Sequence, residues 1–199
     1  MFKRAADQTR ELLLHAAFDE MQQHGFQAAG LSRILANTGL TKGALYHHFS
    51  SKIALGYAVV DELVKQEIEA RWLTPLEGQQ DPIAALIAAL QREAKAIRPT
   101  EIIRGCPLNN LAQEMSPVDE GFRQRINQIY NVWRAGLATA LRRGQQNNTV
   151  RQDICADDAA AFIVATLEGC IGMAKNARDP ALLLTCGKGL VHYLQSLRP

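Results

Sequence analysis

Apolar residues recur at spacings of three and four along almost the whole chain, and no stretch alternates with a period of two for long. That periodicity puts one apolar stripe on each of a succession of helices, so the chain is predicted to be all-α, with no sheet. Three helix starts are explicit. Asp81-Pro82, Ser116-Pro117 and Asp179-Pro180 each place a side-chain acceptor at an N-cap and proline at the first helical position, where its missing N–H costs nothing. Gly25, Gly39, Gly78, Gly105 and Gly144 fall where a helix would end or a turn would need positive φ. The resulting pattern has about nine helices, near 8–24, 31–37, 41–48, 52–73, 82–97, 107–114, 118–145, 156–176 and 180–197. Short elements crowd the first quarter and long ones fill the remainder. Two functional parts are therefore expected, one over 1–51 and one over 52–199, joined through a continuous helix at 52–73.

The short elements carry the most specific signal. Residues 31–49 hold a short helix, a turn at Gly39 and a second short helix opened by Thr41, the pattern of a helix-turn-helix. In the second helix Leu45 and Phe49 are four apart and can face the core with Ile34 and Leu35, which turns Lys42, Gly43, Tyr46 and His47 outward near the helix start. Residues at that end reach base edges when such a helix enters a major groove. Thr41, as a cap, would present free N–H groups to phosphate oxygens, and Ser32 and Arg33 at the start of the preceding helix could hold the flanking backbone.

The run Gly39-Leu-Thr-Lys-Gly-Ala-Leu-Tyr-His-His-Phe-Ser-Ser-Lys-Ile-Ala-Leu55 strongly resembles the recognition segment of the tetracycline-repressor (TetR) family. Thr9-Arg10-Glu11 and Gly25-Phe26 fit that family's first helix, so the close resemblance covers about residues 8–56. It implies that Lys42, Gly43 and Tyr46 face bases, while Thr41, His47, His48 and Lys52 hold phosphates. It also implies a repressor that binds a palindromic DNA operator as a homodimer and is released by a small-molecule inducer. One departure is Gly30, where the family usually offers a Ser or Thr cap; glycine is itself an acceptable cap.

Composition narrows the alternatives. At 199 residues and 47% hydrophobic the chain can bury a core without metal or disulfide, and no apolar run approaches the ~18 residues needed to span a bilayer. Its N-terminus lacks the apolar stretch of a signal peptide, so a cytoplasmic location is expected. Residues 1–52 carry six Lys/Arg against four Asp/Glu, whereas 53–199 carry sixteen of each, so the small basic excess lies with the helix-turn-helix. No Ser-His-Asp order, paired-carboxylate motif, metal-ligand spacing or phosphate loop appears, so neither an enzyme nor a cofactor is expected.

The segment 156–176 is apolar around most of its circumference, and so is much of 180–197. A helix buried on more than one face needs a second surface, and a copy of itself supplies one; an intersubunit four-helix bundle is expected, with Ala165, Gly169 and Gly172 permitting close approach. The helical part should then act as ligand-sensing and dimerisation domain, with Trp72, Met115, Phe122, Tyr130, Trp133, Phe162, Glu168 and Met173 as candidate lining groups. Cys106, between Gly105 and Pro107, occupies an N-cap where the helix dipole and Arg104 would favour thiolate, with Lys175 as a further supporting charge. That Gly-Cys step resembles one found before the same helix in some electrophile- and oxidant-responsive members of the family, so thiol modification at Cys106 is the expected alternative to a small-molecule inducer for release.

Overall fold

A computed structural model describes residues 2–96 and 98–199. Among them there are eleven α-helical segments and no strand: α1 (Phe2–Ala28), α2 (Leu31–Thr38), α3 (Lys42–His48), α4 (Lys52–Ala58), α5 (Lys65–Ile68), α6 (Pro82–Ala96), α7 (Pro99–Arg104), α8 (Pro107–Met115), α9 (Glu120–Gln146), α10 (Ala156–Ala177) and α11 (Pro180–Ser196). No helix is long and apolar enough to cross a membrane among the described residues.

The differences from the expected pattern have local causes. The predicted stop at Gly25 is a break inside α1, with Gly25 at φ 78 and ψ 166, after which one more turn forms. The connecting helix continues past 73 to Leu76, carrying π-helical turns at Val59–Val64 and Glu69–Leu73 and a 3-10 turn at Thr74–Leu76. Ser116-Pro117 does not open α9; Asp119 does, its carboxylate accepting from Phe122 N at 2.8 Å. α7 escaped the periodicity because six residues are too few to establish it. Ile97, the expected last residue of α6, lies outside the described residues.

The chain packs as two compact units, one holding the chain up to Gln66 together with Asn110–Asn127, the other Glu67–Asn109 with Gln128–Pro199. α8 and α9 each contribute to both. The first unit is built on buried Leu13, Ala17, Ile34, Leu45, Phe49 and Leu55, and on an aromatic cluster in which Phe122 meets Phe26 at 4.6 Å and Tyr57 at 5.0 Å between ring centroids. Arg10 ties α1 to the π turn through two bonds to Glu62, of 2.8 and 2.5 Å, while lying 5.3 Å from the Phe49 ring centre. In the second unit Trp72 stacks on Trp133 at 6.1 Å with planes 19° apart. There α10 and α11 form an antiparallel hairpin, turned at Arg178 and restarted by Asp179, whose carboxylate accepts from Ala181 N at 2.8 Å.

Gly56 is fixed by packing rather than by backbone freedom. A Cβ there would stand 2.4 Å from Phe26 Cε2 and 2.7 Å from Phe122 Cζ, inside the van der Waals limit of both rings. Overpacking of this kind costs about 1–3 kcal/mol, so Gly56→Ala should lower the melting temperature by several degrees in a calorimetric scan. An unchanged melting temperature would contradict this packing.

Candidate nucleic-acid interface

α3 is positioned from below. Leu45 and Phe49 are buried with Ile34, Leu35 is half-buried beside them, and the Thr41 hydroxyl caps the helix by accepting from Ala44 N at 3.1 Å. Gly39, at φ 68, makes the left-handed turn that lets α3 follow α2. This leaves Thr41, Lys42, Gly43, Tyr46 and His47 exposed on one tip, with Lys42 Nζ 5.8 Å from the Tyr46 ring centre. Gly43 would meet only Thr41 Oγ1, at 3.8 Å, if it carried a Cβ, so nothing inside the fold requires glycine there. Its consequence is a surface that another molecule can approach closely. His48 is half-buried and edge-on to His47 at 5.0 Å, and Ser32 is exposed at the start of α2.

Two of the residues expected on phosphates are committed to holding the fold. Arg33 donates through Nε to Glu20 Oε1 and through Nη2 to Ala28 O at 2.7 Å. Lys52 Nζ donates to Gln27 O at 2.9 Å and sits 4.9 Å from the Phe26 ring centre; desolvation lowers its pKa. Both fasten the end of α1 to the helix-turn-helix.

Three fastening residues have no counterpart in the sequence reading. Glu20 is almost fully buried and accepts from Gly30 N at 3.0 Å as well as from Arg33, so it serves the start of α2 that Gly30 cannot cap with a side chain. Burial alone would raise its pKa, but those two donors outweigh it and hold the carboxylate below its ordinary range. Glu114, from α8, accepts from Phe26 N and Gln27 N, both at 2.8 Å, just after the Gly25 break. Ser51 caps α4 by accepting from Ala54 N at 3.0 Å, a local signal that the sequence did carry.

The candidate sensing residues separate into groups. Cys106, Tyr130 and Glu168 lie together in the second unit: Cys106 Sγ donates to Glu168 Oε1 at 3.2 Å, and Tyr130 is half-buried within reach of their charge. Trp72 and Trp133 are buried as a stacked pair. Phe122 belongs instead to the aromatic cluster of the first unit, where Met115 is also buried. Phe162 and Met173 are 51% and 52% exposed on the outer side of α10, too open to line an interior cavity of one subunit.

The thiolate expected at Cys106 is corrected by its surroundings. The N–H groups of Leu108 and Asn109 do address the sulfur, as an N-cap requires. Burial and the facing Glu168 carboxylate outweigh them and push the thiol well above its ordinary pKa. Glu168 is a charged group that meets the sulfur, and Lys175 is half-buried in the last turn of α10. Cys170 is likewise pushed up to about 12, by burial and by Cys186 across the hairpin, and Cys155 is exposed.

On the outer side of the hairpin Phe162, Ala165, Gly169 and Met173 follow one another at helical spacing on α10, with Leu184 exposed on α11. Gly169 is open on that face, whereas Gly172 is turned inward, where a Cβ would lie 3.7 Å from Asn109 Nδ2. Among the described residues no group of three or more His, Cys, Asp or Glu could hold a metal ion.

Burial raises Glu168 from 4.5 to about 7, so the folded state favours its protonated form and ionisation opposes folding. The associated stability is present below pH 4.5, is lost as pH rises toward 7 and stays lost above it. Glu168→Gln, neutral throughout, should therefore exceed wild type by up to roughly 3 kcal/mol at pH 8 and by little at pH 5 in denaturant titrations. An equal difference at both pH values would contradict the assignment.

Comparison with known proteins finds two sequence models that match the chain. The sequence model described as "Bacterial regulatory proteins, tetR family" matches residues 13–59, and that described as "Transcriptional regulator LmrA/YxaF-like, C-terminal domain" matches residues 82–189. The HTH-type transcriptional regulator LmrA of Bacillus subtilis (strain 168) is 30% identical over 177 residues, covering 88% of this chain and 91% of LmrA. The HTH-type transcriptional repressor DhaR of Mycobacterium sp. (strain GP1) is 25% identical over 177 residues, 85% of this chain and 84% of DhaR. A crystal structure of a TetR transcriptional regulator from Chloroflexus aurantiacus J-10-FL superposes with a TM-score of 0.83 at 29% identity, covering 96% of each chain.

Proposed function

Since the chain belongs to the TetR family of bacterial transcriptional regulators, we propose that it works as a repressor: a cytoplasmic homodimer that holds a palindromic operator and lets go when its helical part is occupied or modified. The observation that carries this reading is the exposed tip of α3. Thr41, Lys42, Gly43, Tyr46 and His47 face outward together while buried Leu45 and Phe49 fix the helix beneath them. Lys42, Gly43 and Tyr46 read base edges; Thr41, His47, His48 and Ser32 hold phosphates. Arg33 and Lys52 act from behind, by setting the angle of the motif.

In functional terms residues 1–51 form the reader and 52–199 the sensing and dimerising part. The outward stripe of Phe162, Ala165, Gly169 and Met173, with Leu184, is the surface on which a second copy packs through α10 and α11. Pairing brings two α3 helices to successive major-groove faces, about 34–36 Å apart or a multiple of that. Repression is supported by the similarity to DhaR, a transcriptional repressor. Release follows from a small-molecule inducer in the helical part, or from modification of Cys106, whose thiol proton faces the Glu168 carboxylate.

Replacing Tyr46 by alanine removes a base contact worth about 1–3 kcal/mol, so operator affinity in a gel-shift titration should fall roughly 5- to 150-fold while sedimentation still reports a dimer. Unchanged affinity, or a wild-type chain that sediments as a monomer, contradicts the proposal.

A further inference from the structure

Among the described residues of the second unit two buried polar atoms have no hydrogen-bond partner, Glu168 Oε2 and Trp133 Nε1. Buried polar atoms are almost always paired, and a carboxylate oxygen left unpaired away from water is among the costliest exceptions. The groups known to face Glu168 are the Cys106 thiol on Oε1 at 3.2 Å, the Tyr130 hydroxyl from α9, and the Asn109 amide, which reaches the Glu168 backbone oxygen at 3.5 Å. None of the three is a cation. Tyr130 and Trp133 stand one turn apart on α9 and so share a face, and Trp133 presents an indole already stacked on Trp72. Glu168 Oε2 thus stands buried without a donor, beside a thiol on the other oxygen and with Tyr130 within reach of its charge.

We propose that Glu168 anchors a buried ligand site whose occupant is a small organic cation, a protonated amine on an apolar body about the size of one or two rings, with the ammonium donating to Glu168 Oε2. The site rests on the reading of residues 52–199 as a ligand-sensing part. Charge selects the class. An anion meets a carboxylate and is repelled; a neutral alcohol donates one bond but leaves the charge of the ionised form uncompensated; an ammonium supplies both donor and charge. The aromatic face of Tyr130, within reach of the Glu168 charge, adds a preference for a cation.

The test is isothermal titration calorimetry on the full chain at pH 8 with three probes of one body: 2-naphthylmethylamine, 2-naphthalenemethanol and 2-naphthoate. The amine should bind about tenfold or more tightly than the alcohol, as a charge-assisted hydrogen bond implies, and naphthoate should give no measurable binding. Glu168→Gln, checked for folding by circular dichroism, should remove the preference for the amine and leave the alcohol within about threefold of its wild-type affinity. An amine bound no more tightly than the alcohol, an amine whose affinity survives the substitution, or no heat from any of the three overturns the proposal. The wild-type comparison of amine with alcohol needs no variant. Fragment retention by the same preparation on genomic DNA keeps the two readings apart: equal probe affinities with DNA binding intact overturn the anchor alone, whereas lost DNA binding with the amine preference intact overturns the regulator and supports the anchor.

Discussion

Glu114 spans a break in a helix. At Gly25 the backbone takes φ 78 and ψ 166, a region open to glycine, and the N–H groups of Phe26 and Gln27 that follow are left without acceptors in their own helix. The carboxylate accepts both at 2.8 Å, an N-terminal cap supplied by α8 to the last turn of α1. From that turn the rest of the reader is hung. Phe26 packs on Phe122, Gln27 O takes Lys52, Ala28 O takes Arg33, and Glu20 joins Arg33 to Gly30 at the head of α2. The direction of α3 depends on all of these, since α2 and the Gly39 turn deliver it.

The helix that carries Glu114 begins at Pro107, directly after Cys106. Under the proposed function an inducer need only favour one of two arrangements of the protein over the other. Shifting a two-state balance from 1:99 to 99:1 takes about 5.5 kcal/mol of differential binding, and pairing a charge that is otherwise buried and uncompensated is a term of suitable size.

What the sequence disclosed was local. The Thr41 cap, the Gly39 turn, the Asp179-Pro180 start and the buried spacing of Leu45 and Phe49 each depend on residues within four positions of one another, and each stands as expected. What it concealed was set by distant partners. Glu114 lies 88 residues from Phe26, so nothing near Gly25 announces its cap. Cys106 shows the same limit in reverse: the N–H groups of its own helix favour thiolate, and burial, together with a carboxylate 62 residues away, reverses the outcome. Arg33 and Lys52, expected on phosphates, also have acceptors within the fold, Glu20, Ala28 O and Gln27 O, and these the sequence does not announce. Ser116 and Asp119 are competing caps three residues apart, and the choice of Asp119 goes with its second bond, from Tyr57 Oη at 2.7 Å.

The central claim is that α3 presents a sequence-reading surface, offered twice by a symmetric pair. Selecting bound fragments from the organism's own genomic DNA and footprinting the survivors tests it most directly. The account predicts a small set of fragments that share an inverted repeat, protected on two half-sites whose centres lie about one helical turn, 34–36 Å, or a multiple of it apart. Fragments retained no better than random duplex of the same length, or protection of a single unpaired site, would contradict it.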